Sequence, residues 1–243
     1  MTKLYYTTIH TQTFIGLIVV DVHGILYYAS LGTSPTDLKQ LVYKDFNAVK
    51  GYSLSLLVEK KRSENGGVTT NNNAQTVQDD KIDIIKDKSG LVNDDIKNES
   101  INPLSIDKKS DFSNKQSKCS EKESKYGDKI DETIRKFKCI MEDALKIDDI
   151  DITYKIIFGT SLQKKVWQQL LTIKLGEIST YSKIADELHI PNSARVVGNC
   201  VGANRIALVI PCHRVVTKAG KISGYRYGVG IKEKLLKDER QSN

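Results

Sequence analysis

The sequence predicts an α/β protein in two parts. A small N-terminal α/β domain is followed by a C-terminal, mainly helical domain with a helix-turn-helix. Three observations predict this. Residues 3–32 are dense in β-branched and aromatic residues, as in "LYYTTI" and "FIGLIVVD". From about residue 160 the apolar residues recur at helical spacing. Between them, from about Arg62 to Gly127, the chain turns to Asn, Asp, Lys and Ser, with Phe112 and Tyr126 almost its only aromatics. The expected domains are 1–150, carrying an insertion at about 62–127, and 151–243.

Within the first part, "VHG" turns the chain from one strand into "ILYYASLG", giving a hairpin or meander. Ser34 is a good N-cap and Pro35 suits a first helical position, so residues 34–60 open with a helix carrying Leu38, Leu41 and Val42 inward. The polar segment cannot bury enough apolar area to offset its ordering entropy, and is expected to be disordered. Cys119 within it is incidental. In "DKIDETIRKFKCIMEDALKI", Ile130, Ile134, Phe137, Met141 and Leu145 mark one helical face, with Cys139 or Ile140 beside it. A strand "ITYKIIF" (152–158) is expected next, then a helix capped by Thr160-Ser161 that buries Val166, Trp167, Leu170 and Leu171.

"YSKIADELHIPNSARVVGNCVGAN" predicts two short helices broken at "HIPN". Ile184, Ala185 and Leu188 face inward from the first, and Val196, Val197, Cys200 and Val201 from the second. Arg195, Gly198, Asn199 and Gly202 lie on the other side. A helix-turn-helix and an ordinary helical hairpin fit this geometry equally well. Glycines on the exposed face favour close approach to a ligand, where an inert helix would carry Glu and Lys. A Gly-containing turn "TKAGK", the segment "ISGYRYG" and a last helix with Leu235 and Leu236 inward complete the chain.

Charge points the same way. The net charge is +7, yet residues 151–243 hold 15 Lys and Arg against 7 Asp and Glu, while the first 150 hold 22 against 23. A basic module beside a neutral one is the footprint of phosphate-backbone binding. The four cysteines have neither zinc-knuckle nor disulfide-framework spacing. No membrane-length apolar run and no signal-peptide pattern stand out, so the expectation is a soluble intracellular protein with reduced thiols and no membrane partner.

Chemistry concentrates in "LVIPCHRVV", residues 208–216. A thiol needs a base or a cation beside it to become a nucleophile. Neighbours on an extended strand point to opposite faces, so His213 can serve Cys212 only through a bend or a bridging water, and Pro211 makes a bend plausible. Cysteine hydrolases fit poorly, because their Cys and His come from distant segments.

"IPCHRVV", with "GYRYG" and "KEKLL" downstream and "TYSKIA…SARVVGNCVGANRIALVIP" upstream, closely resembles the O6-alkylguanine-DNA alkyltransferases. These are the methylated-DNA–protein-cysteine methyltransferases of direct DNA repair. The resemblance runs from about Ile152 to Glu239, and the first 60 residues fit the family's small α/β domain by pattern alone. It implies a winged-helix-like helix-turn-helix in the second domain and a monomer without cofactor. The partner it implies is double-stranded DNA bearing O6-alkylguanine, and O4-alkylthymine as well. Residence would be nuclear in a eukaryote and cytoplasmic otherwise.

The resemblance also implies roles for residues. Cys212 would be the permanent alkyl acceptor, His213 its water-mediated base, Glu239 the carboxylate orienting that base, and Asn204 the brace of the turn. Tyr181 would help to flip the nucleotide and donate to guanine N3. DNA would be met by Tyr181, Ser182, Ala194, Arg195, Gly198 and Lys218, with Arg195 filling the gap left by the extruded base. The substrate pocket would be lined by Ala207, Val215, Tyr225, Arg226 and Tyr227, with Tyr227 adding bulk where some relatives carry glycine. Some relatives bind zinc through N-terminal Cys and His; with only His10 and His23 there, no zinc is expected. An alkyltransferase-like binder lacks the nucleophile that Cys212 provides, and a methylation-sensing regulator would need a further sensor domain.

Overall fold

β1 (Thr2–His10), β2 (Ile15–Val20) and β3 (Leu26–Gly32) form the antiparallel meander that their composition predicts. The computed structural model describes residues 1–57 and 127–240, which belong to one compact unit. The polar insertion expected at 62–127 therefore lies outside the described residues, but for Gly127.

β2 is an unbroken apolar run because both of its faces are covered. Ile18 and Val20 join a core shared with the C-terminal helices. Leu17 and Val19 face a second core built with Leu38, Val42 and Phe46 of α1 (Pro35–Phe46). Alternation along a strand thus feeds two cores at once. Ser34 caps α1 by accepting from the Asp37 amide, and Pro35 occupies its first turn. The chain then returns as β4 (Tyr52–Leu56), parallel to β1, giving the order β3-β2-β1-β4. The sequence reading missed β4, whose "YSLSL" is half-buried rather than apolar.

The free edge of β3 receives the second half of the chain. Leu26 donates to the Thr153 carbonyl and accepts from Lys155, and Ala29 donates to the Arg205 carbonyl and accepts from Ala207. These single bridges satisfy the edge strand's backbone groups. They also correct the expected strand at 152–158, which makes one bridge at Tyr154 and no ladder. The segment at Ile206 has already taken the rest of the edge.

α2 (Asp128–Glu142) packs Ile130, Thr133, Phe137, Ile140 and Met141 against the sheet. Its buried face is rotated from the expected one. Ile134 and Leu145 are half-buried, while Thr133 turns inward to donate to the Gly24 carbonyl at 2.6 Å. Gly24 has φ 75°, and a Cβ there would run into the Lys129 carbonyl, so only glycine fits this turn.

α3 (Ser161–Leu170) opens with a capping box between Thr160 and Gln163. It ends one residue before Leu171, which is exposed rather than buried as expected. α4 (Tyr181–Glu187) and α5 (Ala194–Gly202) pack against each other across the "HIPN" break, where His189 and Asn192 take positive φ. Val196 is exposed and Leu188 half-buried, so the inner face of the pair is narrower than expected. Trp167 Nε1 donates to the Cys200 carbonyl at 2.7 Å and fixes α5 on α3. α6 (Val229–Arg240) closes the described chain. None of the described helices is long and apolar enough to cross a membrane.

Candidate active site

"LVIPCHRVV" is not a strand. Leu208 stands in the left-handed region at φ 68°, and Cys212–Arg214 form a single 3-10 turn before β6 (Val215–Val216). A leucine held at positive φ is strained, and persists only where its surroundings over-determine it. Asn204 does that here. Its Oδ1 accepts from the Ile206 amide at 2.9 Å. Its Nδ2 donates to the Ile206 and Ile210 carbonyls at 3.2 and 3.1 Å and to Cys212 Sγ at 3.1 Å. One buried carboxamide therefore shapes the turn and touches its thiol.

Cys212 is 3% exposed. Burial pushes its thiol pKa up; the Asn204 and Tyr225 side chains and the charge of Lys232 pull it down without cancelling that rise. The thiol is therefore protonated at rest, with groups poised to support the thiolate once its proton leaves. The Tyr225 hydroxyl is near enough to favour the thiolate, yet it is buried without a well-aligned hydrogen-bond partner among the described residues.

His213 and Glu239 are wholly internal. His213 Nε2 and Glu239 Oε1 are 2.8 Å apart. Arg214 forks onto the same carboxylate, Nε to Oε2 at 3.0 Å and Nη2 to Oε1 at 3.1 Å, and also donates to the Ile173 carbonyl and Asp148. Burial pushes the Glu239 pKa up, but His213 and Arg214 overcome this and hold it below the ordinary carboxylate value. Burial drives the His213 pKa down, and Glu239 offsets only part of the fall. A neutral imidazole with Nε2–H on an ionised Glu239 leaves Nδ1 as a free base, and Nδ1 is buried with no partner among the described residues.

Beside the thiol lies a cavity of about 30 Å³, lined by Asn204, Cys212, Tyr225, Arg226 and Lys232 on the protein side and by Tyr181, Gly198 and Gly202 towards the helix pair. Tyr181 is brought here because β5 (Ser179–Thr180) pairs in parallel with β6, setting the start of α4 beside Val215. Its hydroxyl shares a 2.6 Å hydrogen bond with Ser223. Gly198 packs beside the Tyr181 ring, which lies 3.7 Å from where a Cβ would be, an ordinary contact distance. Arg195 is exposed in the first turn of α5, Ala194 and Ser182 are half-buried nearby, and Lys218 stands exposed in the turn after β6.

Three expected pocket residues do not line this cavity. Ala207 and Val215 are buried in the core. Tyr227 is buried outside this lining, its hydroxyl donating to the Asn204 carbonyl at 2.9 Å and the Ala29 carbonyl at 3.2 Å. The cause is a turn at Tyr225–Gly228, closed by the Gly228 amide on the Tyr225 carbonyl at 3.1 Å, which leaves Tyr225 and Arg226 on the cavity and engages Tyr227 elsewhere. Among the described residues no three His, Cys, Asp or Glu side chains converge as a metal site requires.

Residues 161–241 match the family model described as "6-O-methylguanine DNA methyltransferase, DNA binding domain". The chain is 36% identical over 242 residues to a methylated-DNA–protein-cysteine methyltransferase of Scheffersomyces stipitis, covering 98% of this chain and 94% of that one. The chain belongs to the methylated-DNA–protein-cysteine methyltransferase family. A Candida albicans family member is 33% identical over 239 residues, with 98% of each chain covered. The fold agrees with the O6-methylguanine-DNA methyltransferase of Pyrococcus kodakaraensis (18% identity, TM-score 0.54, 97% of this chain and 98% of that one). It also agrees with the O6-methylguanine methyltransferase of Mycobacterium tuberculosis (18%, 0.53, 99% and 94%).

Two site residues of this methyltransferase family member escaped the sequence reading. Lys232 is buried, donates to the Val215 carbonyl at 2.6 Å, and lines the thiol cavity. Arg214 was seen only as part of "CHR". A signal for Lys232 existed: it shares one helical face with Leu235, Leu236 and Glu239, at spacings of three, four and seven.

Proposed function

We propose that this protein transfers the alkyl group of O6-alkylguanine, and of O4-alkylthymine, in double-stranded DNA to Cys212, once per molecule and without cofactor. The observation that carries it is the buried Cys212 thiol, hydrogen-bonded by Asn204, at the floor of a cavity whose mouth is Tyr181 of a helix pair. A duplex hides its O6 substituents, so the nucleotide must rotate out of the stack. The cavity has room for about one water molecule, so the flipped base parts Tyr181 from Ser223 as it enters. Arg195, cationic and exposed at the start of α5, fills the vacated stack, while Ser182, Ala194, Gly198 and Lys218 meet the backbone and groove.

The Cys212 proton leaves for His213 Nδ1, directly or through water, and Glu239 steadies the imidazolium. The sulfur attacks the alkyl carbon in line; the S–C bond forms as the C–O6 bond breaks, and both electrons of that bond stay with the guanine. The departing base takes a proton at N3, which the Tyr181 hydroxyl offers. The resulting thioether has no route back to a thiol through these groups, so each chain reacts once. With relatives from yeasts, the nucleus is the proposed place of work, and the active species is the monomer.

The test is intact-mass spectrometry after mixing with a duplex carrying one O6-methylguanine, followed by peptide mapping. The expected result is a stable gain of one methylene equivalent on the Cys212 peptide, absent in Cys212→Ala. Transfer in Cys212→Ala, or a methylated peptide elsewhere, would overturn the proposal.

A further inference from the structure

Asp45 sits in the last turn of α1, on the N-terminal side of the molecule, and is nearly buried. Tyr28 Oη donates to it at 3.0 Å, Arg205 Nε at 2.9 Å, and Arg226 Nη2 at 2.6 and 2.8 Å to its two oxygens. The two arginines belong to two separate segments that reach the thiol cavity, Arg226 lining it directly and Arg205 through its neighbour Asn204. Arg205 follows Asn204, which holds the sulfur. Arg226 follows Tyr225, and both line the cavity. One carboxylate therefore ties these two segments together.

The tie is also a charge balance. Two guanidinium groups, each about a fifth exposed, converge on this one anion. Without it they would repel each other in a partly desolvated space and drive the two segments apart. We infer that Asp45 is a positioning residue that sets the width of the cavity beside Cys212, and so restricts transfer to small alkyl groups. This rests on the proposed transfer to Cys212. At about 30 Å³ the cavity admits a methyl group beside the sulfur, whereas an aromatic substituent requires the Tyr225–Arg226 wall to withdraw.

The experiment measures single-turnover transfer at saturating protein from two duplexes that differ only in carrying O6-methylguanine or O6-benzylguanine. It compares the unmodified chain with Asp45→Asn, Asp45→Glu and Arg205→Gln, each with its thermal unfolding curve. Asp45→Asn should raise the benzyl-to-methyl rate ratio by about tenfold, and Asp45→Glu should return it towards the unmodified value. Arg205→Gln, which unties one segment while leaving the carboxylate in place, should raise the ratio by a smaller factor, and it decides the matter if Asp45→Asn does not fold. A clamp that only stabilises the scaffold would lower both rates together with the unfolding temperature and leave the ratio unchanged, which overturns the inference. An unmodified chain that transfers no methyl sinks the proposed function along with it; an unchanged ratio in a chain that does transfer methyl sinks the clamp alone.

Discussion

His213 Nε2 and Glu239 Oε1 stand 2.8 Å apart in a space closed to solvent, and the Arg214 guanidinium grips the same carboxylate. Removing the charge from Glu239 therefore has two effects. Glu239→Gln leaves the buried Arg214 with only the half-exposed Asp148 as counter-ion, which costs up to about 3 kcal/mol of stability. It also withdraws the anion that steadies His213 as it gains a proton, slowing transfer by about 100-fold or more. Denaturant unfolding and single-turnover transfer to Cys212 measure the two losses separately. A variant as fast as the unmodified chain would remove Glu239 from the chemistry.

The same pair sets how stability depends on pH. The His213 pKa is depressed in the fold, so the unfolded chain takes up a proton that the folded chain refuses once pH falls below about 6.5. The Glu239 pKa is also depressed, so its contribution is complete above about 4.3 and is lost as pH falls through its lower folded value. Both signs agree: acid destabilises, beginning with His213. Urea midpoints should fall between about pH 7.5 and about pH 5.5, and His213→Gln should flatten that slope. An equal slope in the variant would assign the acid sensitivity to other groups.

Lys232 adds a test of how the thiolate is supported. Its ammonium faces the Cys212 cavity and donates to the Val215 carbonyl, while burial pushes its pKa down and Cys212 pulls it partly back. Lys232→Met keeps the stem's apolar packing but removes the charge and orphans a buried carbonyl, costing about 1–3 kcal/mol. The Cys212 thiol should then ionise at higher pH. The rate of iodoacetamide labelling, followed against pH, should shift its midpoint upwards. An unmoved midpoint would leave Lys232 with a packing role alone.

Much of this was legible in the sequence because local signals and burial agreed. Ser34-Pro35 placed α1, Thr160 placed α3, and "HIPN" placed the break between α4 and α5. What was missed was decided by tertiary context. β4 is half-buried and lacks a strand's apolar signal, and 152–158 has the composition of a strand but finds only one free position on the β3 edge. At the site, the motif led to Cys212, Asn204, His213 and Glu239 as candidates. It gave no hint of the Leu208 backbone conformation, and spacing in "GYRYG" was silent on which tyrosine faces the sulfur. Asp45 could not be found from sequence at all, since its partners Arg205 and Arg226 belong to the far half of the chain, the second of them 181 positions away.

The helix pair predicts a separation of binding from chemistry. Arg195 is exposed at the start of α5 and is not among the residues lining the thiol cavity, so Arg195→Ala should leave reaction with free O6-alkylguanine unchanged. Transfer from duplex DNA should slow by at least about tenfold, since only the duplex requires a base to be flipped. Duplex binding should also weaken with rising salt, and the variant's log-log slope should be shallower by about one. Equal losses on both substrates would show that Arg195 acts on the fold.

Tyr227 is the residue on which structure and sequence reading part most sharply. The resemblance implies a pocket lined by Tyr227, adding bulk where some relatives carry glycine. The ring is instead buried, 5.3 Å from Tyr225 in an edge-on pair, and its hydroxyl ties the Asn204 and Ala29 carbonyls across the molecule. Tyr227→Gly therefore removes a core side chain, at a cost of about 3–5 kcal/mol. Tyr227→Phe keeps the ring and loses only the hydrogen bonds, for about 1 kcal/mol. The expected order of unfolding temperature is unmodified, then Phe, then Gly, with the benzyl-to-methyl transfer ratio of the Phe variant unchanged. A Phe variant that gains benzyl transfer while keeping its stability would return Tyr227 to the pocket wall.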